Sequence, residues 1–267
     1  MRGMILPLSA ERIAARLHEG ARRLDIRSVA CTGSTNADLL ARVDRLARPM
    51  LLVASRQTAG RGRAGRDWQS APGASLTFSL AWNFSCPLHR LAGLPLAVGV
   101  ALAETLAGFG LTLQLKWPND ILRDGAKLGG VLIETATPNA AGAWAVIGVG
   151  LNILPPQLDG GIPAAAMPEL AALEPELLLA ELASGLAAAL TQFEQDGFAA
   201  FRARWNALHA YAGQPVALLD HGRVLQQGVA EGVDDSGCLL LRGAAGLQPV
   251  MAGDVSLRRQ EGLACGC

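Results

Sequence analysis

The stretch Gln57-Thr58-Ala59-Gly60-Arg61-Gly62-Arg63-Ala64-Gly65-Arg66-Asp67-Trp68 carries, taken literally, the spacing G-x-G-x-x-G at Gly60, Gly62 and Gly65. A dinucleotide site needs a helix opening at those glycines and an acidic residue about twenty positions later to hold a ribose hydroxyl. Neither is present. Past Gly65 the chain runs through Ser70, Pro72 and Gly73 into an alternating segment, and no Asp or Glu occurs between Asp67 and Glu104. No G-x-x-x-x-G-K-[ST] phosphate loop occurs either, so two common nucleotide-binding folds are excluded. What remains is the loop's own chemistry. Arg61, Arg63 and Arg66 offer paired donors to phosphate or carboxylate oxygens, and the glycines let backbone close over a ligand. An enclosed anion, an exposed flexible loop and an arginine-glycine nucleic-acid segment all fit these residues taken alone.

Working outward, Leu51 to Ala54 reads as a short buried strand feeding the loop. After the loop, Leu76, Phe78, Leu80 and Trp82 alternate with Ser75, Thr77, Ser79 and Ala81, which predicts a strand with one apolar and one small polar face. Leu91, Leu94, Val98, Leu102 and Leu106 form one stripe of a helix predicted over Leu88 to Phe109. Leu111, Leu113, Leu115 and Trp117 alternate again, sending Gln114 and Lys116 to the opposite face. Asp124-Gly125 is a tight-turn signal between Asp120-Ile121-Leu122 and the apolar Leu128 to Ile133 run, and predicts a hairpin. Trp144 to Ile153 reads as a buried strand broken by Gly148 and Gly150.

Toward the ends, Ser9 caps a helical segment carrying Ile13, Leu17 and Leu24, and two further helices are predicted over Pro168 to Gln195 and Phe198 to His209. Past Gly213 the texture changes to short apolar runs (Val216 to Leu219, Val224-Leu225, Gly228 to Ala230, Leu239 to Leu241, Val255 to Leu257) split by turns at His221-Gly222 and Asp235-Ser236-Gly237. That pattern suggests a small β-barrel. The expected organisation is a unit over 1–212, a small barrel over 213–262 and a flexible tail over 263–267 holding Cys265 and Cys267.

The chain has 267 residues, 51% of them hydrophobic and 17% charged, which fits a compact globular protein. The formal net charge is zero, so no global electrostatic footprint for nucleic acid exists. No apolar run reaches the roughly 18 residues of a membrane span, and Met4 to Leu8 is too short for a signal-peptide core. The odd count of 5 cysteines, without a compact framework, suits reduced thiols in the cytoplasm. His18, His89, His209 and His221 show no metal-ligand spacing. Of 23 basic residues only two are lysine, Lys116 and Lys127, which fits either a need there for a compact ammonium and not a planar fork, or codon bias with chance placement.

Ser34-Thr35-Asn36, the Gly60-Arg61-Gly62-Arg63-x-Gly65-Arg66-x-Trp68 loop, Lys116-Trp117-Pro118-Asn119-Asp120, Lys127-Leu128-x-Gly130 and Gly148-x-Gly150-x-Asn152, read together and in this order, resemble the biotin protein ligase family. The resemblance implies an α+β fold: a mixed-sheet catalytic domain related to class II aminoacyl-tRNA synthetases and lipoate ligases, then a small Src-homology-3-like barrel. Some of the family lead with a DNA-binding domain. The thirty or so residues ahead of Ser34 are too few for a helix-turn-helix, so the kind without that domain is expected.

Implied too is a ligase that uses ATP with Mg²⁺ to turn biotin into its adenylate and transfers it to a lysine of a biotin carboxyl carrier protein. Lys127, Arg61 and Arg63 would be catalytic. Ser34, Thr35, Asn36, Gln57, Gly60, Arg61, Gly62, Arg63 and Lys127 would bind biotin, whose ureido head demands neutral polar partners. Arg66, Trp68, Lys116, Asn119, Asp120, Asn152 and Arg258 would serve the nucleotide, with Asp120 a candidate for steering Mg²⁺. Without the family, Ser34-Thr35-Asn36 would be only a helix N-cap, Trp68 a core tryptophan and Asp120 a structural acid. Gln69 departs from the family, where an aromatic residue is commoner. The expected partner is the carrier domain of acetyl-CoA carboxylase or another biotin-dependent carboxylase, with the protein a monomer or homodimer that meets neither nucleic acid nor membrane. A lipoate or octanoate ligase on the same fold, and a nucleic-acid-binding module, are the competing readings.

Overall fold

The computed structural model describes residues 7–137, 142–156, 164–220, 222–253 and 255–260. The Cys265 and Cys267 tail, His221 and the start of the Met4 to Leu8 run lie outside them.

A seven-stranded mixed sheet organises the larger part of the chain. Its strands are β1 (Asp25–Thr32), β2 (Met50–Gln57), β3 (Ser75–Phe84), β4 (Gln114–Lys116), β5 (Asp120–Arg123), β6 (Ala126–Ala136) and β7 (Ala143–Asn152), in the order β1-β2-β3-β7-β6-β5-β4. Only β1 and β2 run parallel; the other neighbours are antiparallel. The β5–β6 hairpin turns at Asp124 and Gly125, both at positive φ (51° and 75°), as the Asp-Gly pair predicted. β1 has no clear alternation and was not predicted; its partial burial comes from lying at the sheet edge beside β2.

One face of the sheet packs on helices. Phe78, Leu80, Trp82, Ile147 and Val149 meet α3 (Leu94–Ala107) and α4 (Pro175–Asp196) in a single core that also holds Phe193, Phe201 and Trp205. Each such side chain contributes about 1.5–3 kcal/mol by leaving water. The helix predicted from Leu88 breaks at Gly93, which adopts φ 79° where a Cβ would strike Phe198. A 3-10 turn, Leu88–Leu91, precedes the break and Pro95 lies in the first turn of α3 beyond it. Likewise α1 stops at Arg16 (Ala10–Arg16, capped by Ser9), and α4 begins only at Pro175, after a 3-10 turn over Pro168–Leu170. The stretch Leu88–Ala107 and α4 are both apolar enough and long enough to cross a membrane by composition, contrary to the expectation that no such run exists; both are mostly buried in the core.

On the opposite face, α2 (Thr35–Leu40) covers a small cluster of Leu39, Val43, Leu52, Ala81, Trp144 and Val146 at one end of the sheet, leaving the other end open. After α5 (Ala199–Ala207) the chain forms a five-stranded antiparallel sheet of β8 (Pro215–Asp220), β9 (Arg223–Val233), β10 (Leu239–Gly243), β11 (Gly246–Val250) and β12 (Val255–Arg259), in the order β11-β10-β9-β8-β12. The two runs predicted around Val224 and Gly228 are one strand. β11 escaped prediction because all but its last residue are exposed. Trp117 fastens this sheet to the rest: its buried Nε1 donates to the Gly237 carbonyl at 3.1 Å.

Candidate active site

Two rows of residues across the open face form the floor of one cavity. In the first, Lys116, Asp120, Gly130, Gly150 and Thr77 lie abreast on β4, β5, β6, β7 and β3. In the second, two residues along and therefore on the same face, come Leu132, Gly148 and Ser79. Gly148 and Gly150 do not break β7, as their spacing suggested; they clear its surface. A Cβ on Gly148 would collide with the Asn36 amide, and one on Gly150 would fall inside the Trp68 ring. The cavity above encloses about 390 Å³.

The second row carries a neutral polar cluster. Ser34 caps α2 by accepting from the Ala37 N–H, which turns Thr35 and Asn36 inward, both buried. Gln57, at the end of β2, accepts at Oε1 from the Thr35 N–H (2.7 Å) and lies 3.0 Å from its hydroxyl. Thr35 Oγ1 is 2.7 Å from Ser79 Oγ, which donates to Asn36 Oδ1 at 2.5 Å. Asn36 Nδ2 in turn donates to Glu134 Oε2 at 2.9 Å.

The first row carries the charge. The two lysines converge on one carboxylate: Lys127 Nζ lies 2.6 Å from Asp120 Oδ1, and Lys116 Nζ 3.2 Å from Oδ2. Burial would raise the Asp120 pKa, but the two ammonium groups outweigh it and hold the acid below the ordinary carboxylate range. Burial pushes the Lys116 ammonium down; Asp120 opposes this, while Arg258 and Lys127 add to it. Asn119 Oδ1 accepts from Arg63 Nη1 at 3.1 Å while its Nδ2 donates to the Val131 carbonyl. Asn152 donates to the Ala165 carbonyl. Arg258 on β12 and Tyr211 complete this end of the cavity wall.

The loop lies across both rows. Its neck closes through the bridge between Arg61 and Asp67, with the Trp68 N–H donating to the Gly60 carbonyl at 3.0 Å. Arg61, Gly62, Arg63, Arg66 and Trp68 all line the cavity, and Trp68 Nε1 reaches Thr77 Oγ1 at 3.4 Å. Gly60 is the one predicted site residue outside the lining; its Cα packs on the Trp68 carbonyl, where no Cβ fits. Gln69, the departure from the family, lines the cavity but is exposed.

Comparison with known proteins supplies the family. The Biotin/lipoate A/B protein ligase family is matched over residues 28–152, and the Biotin protein ligase C terminal domain over residues 211–258. A biotin–[acetyl-CoA-carboxylase] ligase of Paracoccus denitrificans is 33% identical over 237 residues, covering 85% of this chain and 98% of the relative. The chain belongs to the biotin protein ligase family. The bifunctional ligase/repressor BirA of Salmonella typhimurium is 34% identical over 259 residues, or 95% of this chain and 79% of that one. Among solved structures, the biotin protein ligase of Aquifex aeolicus in complex with biotin and ATP superposes with a TM-score of 0.73 at 27% identity, covering 89% of this ligase and 99% of that chain.

Among the residues of the ligase's cavity region that sequence reasoning did not assign to the site are Thr77, Ser79, Tyr211 and Glu134. Thr77 and Ser79 had a signal, since they form the small polar face of β3. Tyr211 and Glu134 had none: each reaches the site only through a chain crossing that local pattern does not encode.

Proposed function

We propose that this ligase condenses biotin with ATP to biotinyl-5'-AMP and then transfers the biotinyl group to a specific lysine of a biotin carboxyl carrier protein, such as that of acetyl-CoA carboxylase. The observation that carries the reading is one cavity with a neutral, hydrogen-bonding end and a doubly cationic end, roofed by an arginine loop. The relatives' names, and the biotin and ATP bound to the Aquifex aeolicus enzyme, support it.

In this reading residues 1–212 form the catalytic unit and 213–262 an appended one. Ser34, Thr35, Asn36 and Gln57 take the ureido head, and the Gly60 and Gly62 backbone closes over it. Arg61, Arg63 and Lys127 take the biotin carboxylate and the α-phosphate. Arg66, Trp68, Lys116, Asn119, Asp120, Asn152 and Arg258 take the nucleotide.

A carboxylate oxygen attacks the α-phosphorus, the bond from that phosphorus to the β-phosphate bridging oxygen breaks, and pyrophosphate leaves. Two anions must meet, so cations fixed beforehand lower the barrier by being in place before charge develops. The acceptor amine then attacks the acyl carbon, AMP departs with the bonding pair and the amine proton is released. No protein nucleophile is needed. Loop closure keeps water from the anhydride. Each oxygen of Asp120 takes one ammonium group, so Asp120 spaces the two lysines, and it would steer a Mg²⁺ brought by the ATP phosphates through its remaining lone pairs.

A lipoate ligase would need a greasy tunnel where Thr35, Asn36, Gln57 and Ser79 stand, and a nucleic-acid module would leave the arginines facing outward. The test is mass spectrometry of a biotin-acceptor domain incubated with the protein, biotin, ATP and Mg²⁺. One biotin adduct is expected. An unmodified acceptor, with no biotinyl-5'-AMP in the mixture, sinks the reading.

A further inference from the structure

Glu134 belongs to none of the motifs, yet one of its oxygens joins both ends of the site. Oε2 accepts from Asn36 Nδ2 at 2.9 Å and from Arg61 Nη2 at 3.0 Å. The ion pair is half-open to solvent, with side chains 28% and 44% exposed, so its worth to stability is small. Its effect is geometric.

A carboxylate can only accept. Asn36 must therefore present Nδ2 to Glu134, which leaves Oδ1 to accept from Ser79, as the 2.5 Å contact requires. With its proton committed, Ser79 can meet Thr35 Oγ1, 2.7 Å away, only as an acceptor, while the Thr35 hydroxyl also has Gln57 Oε1 to donate to at 3.0 Å. The donor and acceptor sense of Asn36 and Ser79 thus follows from the ionised member at the rim, together with the Leu132 carbonyl, which accepts from the same Nδ2 at 3.4 Å. The same oxygen holds the guanidinium of Arg61 at the mouth of the loop. Glu134 does this from behind, since it lines a second cavity on the outer side of the loop and not the inner one.

We propose that Glu134 is a positioning residue for the acyl substrate: it sets the hydrogen-bond polarity of Asn36 and Ser79 in the head pocket and, through the same oxygen, the placement of Arg61 over the substrate carboxylate. This rests on the reading of the cavity as a biotin and ATP site. Glu134→Gln keeps the shape but loses both the charge and the accept-only character.

The measurement is biotin-dependent exchange of pyrophosphate into ATP, with wild-type activity established first. No exchange in wild type overturns the functional reading itself. Given exchange, Glu134→Gln is expected to raise the KM for biotin about tenfold while leaving the KM for ATP unchanged. A merely structural role would move both constants or neither. Combined with Arg61→Ala, and separately with Asn36→Ala, it is expected to cost less than the product of the single effects, because the partners share one oxygen. Effects that multiply in either pair, or a biotin KM unmoved by Glu134→Gln, overturn the proposal. Should Glu134→Gln not fold, Glu134→Asp is carried through the same two pairs under the same criteria.

Discussion

The two ends of the cavity are built on different physical terms. The head end comes from β2, β3, β6, β7 and the short α2, all within one sheet and its cover, and its neutral groups satisfy one another within hydrogen-bonding distance. The phosphate end is assembled from the loop, the β5–β6 hairpin and the C-terminal sheet, and what holds it is charge: two lysines on one acid, with Arg258 nearby. A neutral ligand head gains little from strong fields, and demands fixed donors and acceptors. A triphosphate gains much from cations, wherever in the chain they originate.

The sharpest break in that comparison is Lys127→Ala. Removing a preplaced cation from the reacting centre is expected to lower adenylate formation by about 10²–10³-fold. The thermal midpoint should move little, because Asp120 retains Lys116 and Lys127 is partly exposed. Full exchange activity in this variant would remove charge as the organising feature of the phosphate end.

Next come the two glycines of β7, which separate the ends by a single side-chain step. Gly148→Ala drives a methyl into the Asn36 amide, and Gly150→Ala drives one into the Trp68 ring. Each crowding is expected to cost about 1–3 kcal/mol. The first should appear in the biotin KM and the second in the ATP KM. Isothermal titration of each ligand reads the split; two variants that weaken both ligands equally would show the ends to be one unit.

Much of this division was legible in the sequence, and the limits have physical causes. The alternation in Ser75 to Trp82, the Asp-Gly turn and the pair of lysines spoke for themselves, because each is a local pattern with a local reason. Gly148 and Gly150 looked like strand breakers, since a sequence cannot say that an amide and an indole descend onto them from α2 and the loop. β1 was invisible because an edge strand covered on both faces only in part has no clean period. Glu134 stayed hidden because its partners lie far away in the chain, at Arg61 and Asn36.

His209 gives the gentlest test of the phosphate end. It lies at the junction of the two sheets: its backbone bridges to Leu115, next to Lys116, and Tyr211 of the cavity wall is two residues on. Its ring sits 4.6 Å from that of Trp205, and both ring nitrogens are buried without a hydrogen-bond partner. Burial accordingly pushes its pKa down to about 4. The unfolded chain takes up the proton first as pH falls, so the folded state keeps its full stability above about pH 6.5 and loses it progressively toward pH 4. At pH 5 the loss is about 2 kcal/mol, or roughly 4–8 °C in thermal midpoint. His209→Leu, which cannot take up a proton, should show a flatter midpoint between pH 7.5 and 5. The folded ring stays mostly neutral down to pH 5, so the KM values for ATP and for biotin should change with pH alike in the two proteins while the midpoints diverge. Equal pH slopes of the midpoint in the two proteins would place the acid sensitivity elsewhere.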